Sequence, residues 1–262
     1  MIAITNEKIA DLKPTWASFR GFTLLFDPPG QGLSRSAGLA YVDGDVEADP
    51  ALVLYRALRD GLARLEPDVL AQRYLFCPLP PASYHVTVWD GVNDANLQQV
   101  RDEHRVSGHQ FLRDLPDSLA AATWFSELSA ADHLLDLDLP LHFRFERLAQ
   151  WGHVSLVAQL APRDDTSADA LLRLNAARAC LSDVFSRRFG VAPHPVYVPH
   201  VTLGYFANRD RAEQASPLVE GWNAVLREQT TGLHLEARRV GLYGFTDMAT
   251  FFTAARADCA KK

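Results

Sequence analysis

Apolar residues along this chain recur with two different periods, and the changes between them outline its elements. Residues 21–27 (GFTLLFD) are a short apolar run closed by Pro28-Pro29-Gly30, which predicts a strand and a turn. Gly, Ser and Asp crowd residues 30–49, with one short strand expected at Leu39 to Val42. Over residues 51–65, Leu52, Tyr55, Leu58, Leu62 and Leu65 repeat every three or four places. That is the spacing of one helix face, and Asp49-Pro50 supplies its cap and first turn. Residues 141–148 alternate instead, with His142, Arg144 and Glu146 on one side and Leu141, Phe143, Phe145 and Arg147 on the other. Residues 153–160 form the matching strand across a hairpin-like Gln150-Trp151-Gly152. A long helix over residues 168–189 carries Leu171, Leu174, Ala177, Leu181, Val184 and Phe185 on one face and stops at Gly190. Residues 233–243 and 250–255 predict two closing strands around a turn at 244–248. Residues 93–138 are irregular and mainly helical, the best helix lying at 118–128.

Within this pattern one tetrapeptide occurs twice. His85-Val86-Thr87-Val88 follows Pro78 to Pro81 and runs to an Asp90-Gly91 turn signal; His200-Val201-Thr202-Leu203 follows Pro193, Pro195 and Pro199. Both read as strand. In a strand, side chains at i and i+2 share a face, so each tetrapeptide presents an imidazole and a hydroxyl together. The nine histidines and the threonines of the chain give roughly 0.4 His-x-Thr pairs by chance, so two in matching apolar settings carry weight. The layout around them is also repeated: strand, long helix, Pro-rich approach, His/Thr strand. It predicts an α+β protein of two lobes related by a pseudo-twofold, with antiparallel sheets flanked by helices and the motifs meeting in a central cleft. The whole, residues 1–262, reads as one bilobal domain with an insertion at about 93–138.

Composition narrows the partners. A net charge of −6 disfavours a broad surface that neutralises the phosphates of duplex DNA, while leaving room for a small anion or an RNA end in a local site. Cys77, Cys180 and Cys259 lie far apart without CxxC spacing, which disfavours a disulfide framework or structural zinc and fits reduced, mostly buried thiols. No secretory leader or membrane-length apolar run is visible, so a soluble, cytoplasmic monomer is expected.

Competing chemistries lack their signatures. Catalytic zinc usually takes a third protein ligand, and neither HxH nor HExxH spacing is present. There is no GxSxG elbow for a serine hydrolase and no P-loop or Rossmann glycine pattern. His153-Val154-Ser155-Leu156 is a near-match with Ser in place of Thr, read as structural or as a further contribution to the cleft. His104, His109, His133, His142, His194 and His234 have no partner spacing. Tyr84, Trp89, Tyr205 and Phe206 flank the motifs and most of them read as core, so none is assigned to base stacking; Tyr205 falls on the face opposite His200 and Thr202 by simple alternation. Arg20 and Arg144 are candidate groove contacts.

The paired HxTx strands resemble those of the 2H phosphoesterase superfamily, which includes cyclic phosphodiesterases and RNA ligase-like proteins acting on 2′,5′ linkages. The resemblance spans residues 21–255, and the segment SYHVTVWDGV (residues 83–92) is similar to the first motif of a poorly characterised bacterial branch. It implies His85 and His200 as catalytic residues, Thr87 and Thr202 as substrate-binding residues, and no metal or other cofactor. The residues argue the same chemistry. Two imidazoles with ordinary pKa values near 6.5 supply a base for water and an acid for the leaving ribose oxygen. Two hydroxyls can donate to the phosphate oxygens on which charge builds. The expectation is a metal-independent phosphoric diester hydrolase acting on a small nucleotide or an RNA terminus. The alternative is a nucleotide- or RNA-end-binding module that keeps the fold without turnover.

Overall fold

The structure, a computed structural model, describes residues 4–9, 16–120, 141–191 and 193–254. Its strands are β1 (Gly21–Phe26), β2 (Leu33–Ser36), β3 (Leu39–Val42), β4 (Phe76–Pro78), β5 (Thr87–Asn93), β6 (Leu141–Trp151), β7 (Ser155–Pro162), β8 (His200–Phe206), β9 (Leu235–Ala237), β10 (Val240–Asp247) and β11 (Thr250–Ala254). Its helices are α1 (Val53–Ala63), α2 (Pro67–Tyr74), α3 (Asp102–Arg113), α4 (Asp117–Ala120), α5 (Asp165–Phe189), α6 (Arg209–Ala215) and α7 (Val219–Thr230). The strands form two antiparallel sheets, ordered β2-β3-β11-β10-β1-β5 and β4-β8-β7-β6-β9. Helices flank both, and the fold is the two-lobed α+β arrangement that the sequence predicts.

The helices follow their sequence signals closely. Asp49 caps the turn leading into α1, its Oδ1 accepting from the Ala51 amide at 2.9 Å. Leu54, Tyr55, Leu58 and Leu62 then bury one face, and Gly61 lets α7 come close enough for Leu226 to fill the space a Cβ would need. α5 begins where the Asp164 carboxylate accepts from the Ser167 amide at 2.8 Å, and it ends at Gly190, whose φ of 82° suits glycine. Its buried stripe is Ala170, Leu174, Arg178, Leu181, Phe185 and Phe189, while Leu171, Ala177 and Val184 are half-buried beside it. Phe185 packs against Phe22 of β1 and Trp89 of β5, and the Trp89 Nε1 donates to Ser182 Oγ at 3.0 Å. α5 also packs on β6 and β7, so one helix braces both sheets. Burying side chains of this size contributes roughly 1.5–3 kcal/mol each.

Several sequence expectations need correction. Asp90-Gly91 is no turn: β5 continues through it to Asn93. Gly91 is there because a Cβ would lie 2.1 Å from the Phe22 ring and 2.6 Å from its carbonyl. Residues 233–243 divide between β9 in one sheet and β10 in the other, and β10 carries on to Asp247, through most of the turn expected at 244–248, so the reversal falls at residues 248–249. In β6 the pairing with β7 shifts between Phe145 and Arg147, so Glu146 is an extra residue; Leu148 turns inward and Arg147 outward. The turn between β6 and β7 is Gly152-His153, both at positive φ (54° and 61°). Of the helix expected at 118–128, only its start coincides with α4, and the remainder lies outside the described residues. Cys77 is buried as expected, but Cys180 is exposed, and Cys259 lies outside the described residues. Among the described residues no helix is long and apolar enough to cross a membrane.

Candidate active site

Each motif strand carries a bulge at the last residue of its tetrapeptide. On β1, Leu25 pairs with Thr87 and Leu24 with Trp89, leaving Val88 as the extra residue. On β7, Val157 pairs with Thr202 and Leu156 with Gly204, leaving Leu203. A bulge resets the alternation of faces. The residue three places after each threonine therefore turns to the same side, Asp90 after Thr87 and Tyr205 after Thr202, and both line the cleft. This overturns the expectation that Tyr205 faces away. The cross-strand neighbours Thr23 and Ser155 match in the same manner: both line the cleft, and their hydroxyls donate to the carbonyls of Trp89 (2.8 Å) and Trp151 (2.9 Å).

His85, Thr87, His200 and Thr202 all line one cavity of about 240 Å³. The imidazoles are fixed alike. His85 Nδ1 donates to the Ser83 carbonyl at 2.8 Å, and His200 Nδ1 to the Val198 carbonyl at 3.0 Å, each two residues back along the chain. A ring that donates from Nδ1 keeps Nε2 as its proton acceptor, and neither Nε2 is bonded to another described residue. An aromatic ring braces each imidazole: Phe251 against His85 at 4.1 Å between centroids, Trp151 against His200 at 4.2 Å. The Thr87 and Thr202 hydroxyls have no bond to a described residue and stand available to a ligand.

Burial pushes both histidines toward the neutral form. His85 falls to about 4, chiefly through desolvation, with the neighbouring His200 adding to the fall and the Ser83 carbonyl opposing it. His200 is lowered by the same cause, partly offset by the Val198 carbonyl and by Asp90. The two sites thus differ: the carboxylate of Asp90 helps His200 hold a proton.

A buried arginine joins the two motifs. Arg178, in the apolar stripe of α5, donates from Nε to the Val88 carbonyl at 2.8 Å and from its terminal nitrogens to the His194 (2.8 Å) and Pro195 (3.4 Å) carbonyls. Its guanidinium lies 5.0 Å from the centre of the Tyr197 ring, and the Tyr197 hydroxyl donates to the Thr87 carbonyl at 2.9 Å. The backbone of the first motif is in this way tied to the Pro-rich approach of the second.

The remaining candidates lie elsewhere. His153 sits exposed on the β6–β7 turn beside Arg209, so the third near-motif gives the cleft Ser155 and not its imidazole. Arg20 is outside the cavity lining, and Arg144 lines a separate hollow with Arg163 and Arg227. His104, His109, His142, His194 and His234 are likewise outside the lining, and His133 lies outside the described residues. Tyr84, Trp89 and Phe206 are core. Larger hollows of about 450 and 570 Å³ exist, but neither contains a motif histidine or threonine. Among the described residues no three His, Cys, Asp or Glu side chains are grouped to hold a metal ion. Sequence reasoning missed Asp90, Tyr205, Trp151, Phe251 and Lys8 as lining residues, and Arg178 as their support. Only Arg178 had left a signal, as a charge at a core position of an amphipathic helix.

No protein-family model and no curated protein matches the chain. Among solved structures it is similar to the crystal structure of ATU0111, a conserved protein of unknown function from Agrobacterium tumefaciens str. C58. The two share 18% identity at a TM-score of 0.49, over 92% of this chain and 87% of that one.

Proposed function

We propose that this chain is a metal-independent phosphoesterase of the 2H type, hydrolysing a cyclic or 2′,5′ phosphodiester of a nucleotide or RNA end. The observation that carries this reading is the matched pair of imidazoles in one cavity, each fixed through Nδ1 with Nε2 open. A binding module needs no proton-transfer pair, and two neutral rings are poor anion ligands unless protons move. His85, pushed down to about 4, is the base that takes a proton from water. His200, with Asp90 nearby, is the acid that gives one to the departing ribose oxygen. The attacking oxygen bonds to phosphorus as the P–O bond to the ribose breaks, leaving a phosphomonoester and a free hydroxyl. Thr87 and Thr202 donate to the non-bridging oxygens as charge gathers there. The roles of the histidines exchange in the reverse direction.

The test is a panel of 2′,3′-cyclic, 3′,5′-cyclic and 2′,5′-linked nucleotides, assayed with and without chelator, with calorimetry for any that are bound and not cleaved. Chelator-insensitive turnover of one class is the expected result. Binding without turnover across the panel identifies the non-catalytic module, and loss of activity with chelator identifies a metal hydrolase.

A further inference from the structure

The cavity poses a charge problem that the two motifs do not solve. Burial works against the charged form of both imidazoles, and the one proton that the mechanism places on His200 is offset by the Asp90 carboxylate. The motifs alone therefore supply no net positive charge to hold a phosphodiester anion. Of the described residues lining the cavity, Lys8 is the one lysine or arginine. Its ammonium lies 5.3 Å from the centre of the Phe19 ring and 4.9 Å from that of Tyr205, and no carboxylate among the described residues pairs with it.

Lys8 is held there by a built support. Thr5 and Asn6 donate their amides to the Ala207 carbonyl at 2.9 and 3.0 Å, and the Asn6 Nδ2 donates to the Phe206 carbonyl at 3.0 Å. The Asn6 Oδ1 accepts from the Lys8 amide at 3.1 Å, and the Lys8 carbonyl accepts from the Ala17 amide at 3.3 Å. Asn6 itself is buried. These bonds attach the segment to the end of β8, a few residues beyond His200 and Thr202, so the ammonium is placed relative to the second motif. An ammonium resting on two aromatic faces keeps the N–H donors of its open side free for an anion.

We propose that Lys8 is the anion-binding residue of this cavity, holding a phosphate oxygen of the substrate, and that Asn6 is its positioning residue. The identity of the substrate rests on the phosphoesterase reading; the anion site does not. Lys8 grips charge already present in the ground state, so its effect falls on binding and not on the chemical step. At about 240 Å³ the cavity is smaller than typical ligand pockets of roughly 300–1,000 Å³, which suits a phosphate and its sugar with the rest of the molecule outside.

The experiment uses two probes: calorimetric titration with inorganic phosphate, and steady-state hydrolysis of 2′,3′-cyclic AMP. Lys8→Met keeps the stem that packs on Phe19 and Tyr205, Lys8→Arg keeps the charge, and near-UV circular dichroism verifies that both are folded. Lys8→Met should weaken phosphate binding and raise KM, each by roughly 10- to 100-fold, with kcat held within about threefold. Lys8→Arg should restore most of the loss. Phosphate affinity unchanged in Lys8→Met, or no phosphate binding by the unaltered protein, overturns the proposal. If phosphate binds in a Lys8-dependent way while no diester is cleaved, the anion site stands and the phosphoesterase reading falls.

Discussion

Arg178 donates its Nε–H to the carbonyl of Val88, the residue that the first motif extrudes as its bulge. Removing the guanidinium leaves the buried Val88 carbonyl without its donor and frees the carbonyls of the exposed His194 and Pro195. Arg178→Met should therefore cost about 2–4 kcal/mol in urea unfolding. It should also lower kcat by more than tenfold with a smaller change in KM, because the two motifs lose their mutual alignment. A lysine cannot reach three carbonyls with one fork, so Arg178→Lys should recover only part of either loss.

The half-buried, desolvated imidazoles make stability depend on pH in a predictable sense. The unfolded chain protonates His85 near its ordinary 6.5, while the folded protein resists until about 4. Unfolding thus takes up a proton within that window, and stability, complete above it, should fall as pH drops from 6.5 to 4. The His85 contribution is on the order of 2 to 3 kcal/mol. His200, shifted in the same direction, adds to it. Denaturant unfolding at pH 7 and pH 4.5 should show a smaller drop for His85→Gln than for the unaltered protein.

The hydroxyls are expected to act on the transition state. Thr87→Val and Thr202→Val keep shape and fold but remove the donors to the phosphate oxygens. Each should lower kcat by roughly 10²-fold with melting temperature nearly unchanged, measured by steady-state kinetics beside a thermal melt.

Gly204 tests the second bulge. A Cβ there would sit 2.4 Å from the Cys77 carbonyl and 2.6 Å from the Phe76 ring, so the β4–β8 pairing depends on glycine. Gly204→Ala should destabilise by about 1–3 kcal/mol and displace Thr202 and Tyr205 from the cleft. Calorimetry should show the lowered melting temperature together with reduced turnover.

Much of this architecture was legible in the chain because it rests on local periodicity. The α1 and α5 stripes, the β6–β7 hairpin and the two His/Thr tetrapeptides all follow from spacing. What escaped depends on hydrogen-bond register, to which side-chain patterning is blind. Val88, Leu203 and Glu146 look like ordinary strand residues, yet each is an extra residue that resets the faces after it. Simple alternation therefore puts Tyr205 on the wrong side, and the turn signal at Asp90 hides a residue that lines the cleft. Gly91 suggested a turn because a glycine serving close packing and one serving a reversal look the same in sequence. Lys8, Trp151 and Phe251 reach the site through tertiary folding alone, from segments far from either motif.

The central claim is that His85 and His200 act as one proton-transfer pair on one phosphorus. The most direct measurement is single-turnover hydrolysis of a 2′,3′-cyclic nucleotide by the unaltered protein, His85→Ala, His200→Ala and the double variant. Groups that act as a unit lose their effect together. Each single variant should fall by 10²-fold or more, with the double variant little below either. Turnover retained by His85→Ala, or two single losses that simply multiply in the double variant, would contradict the account.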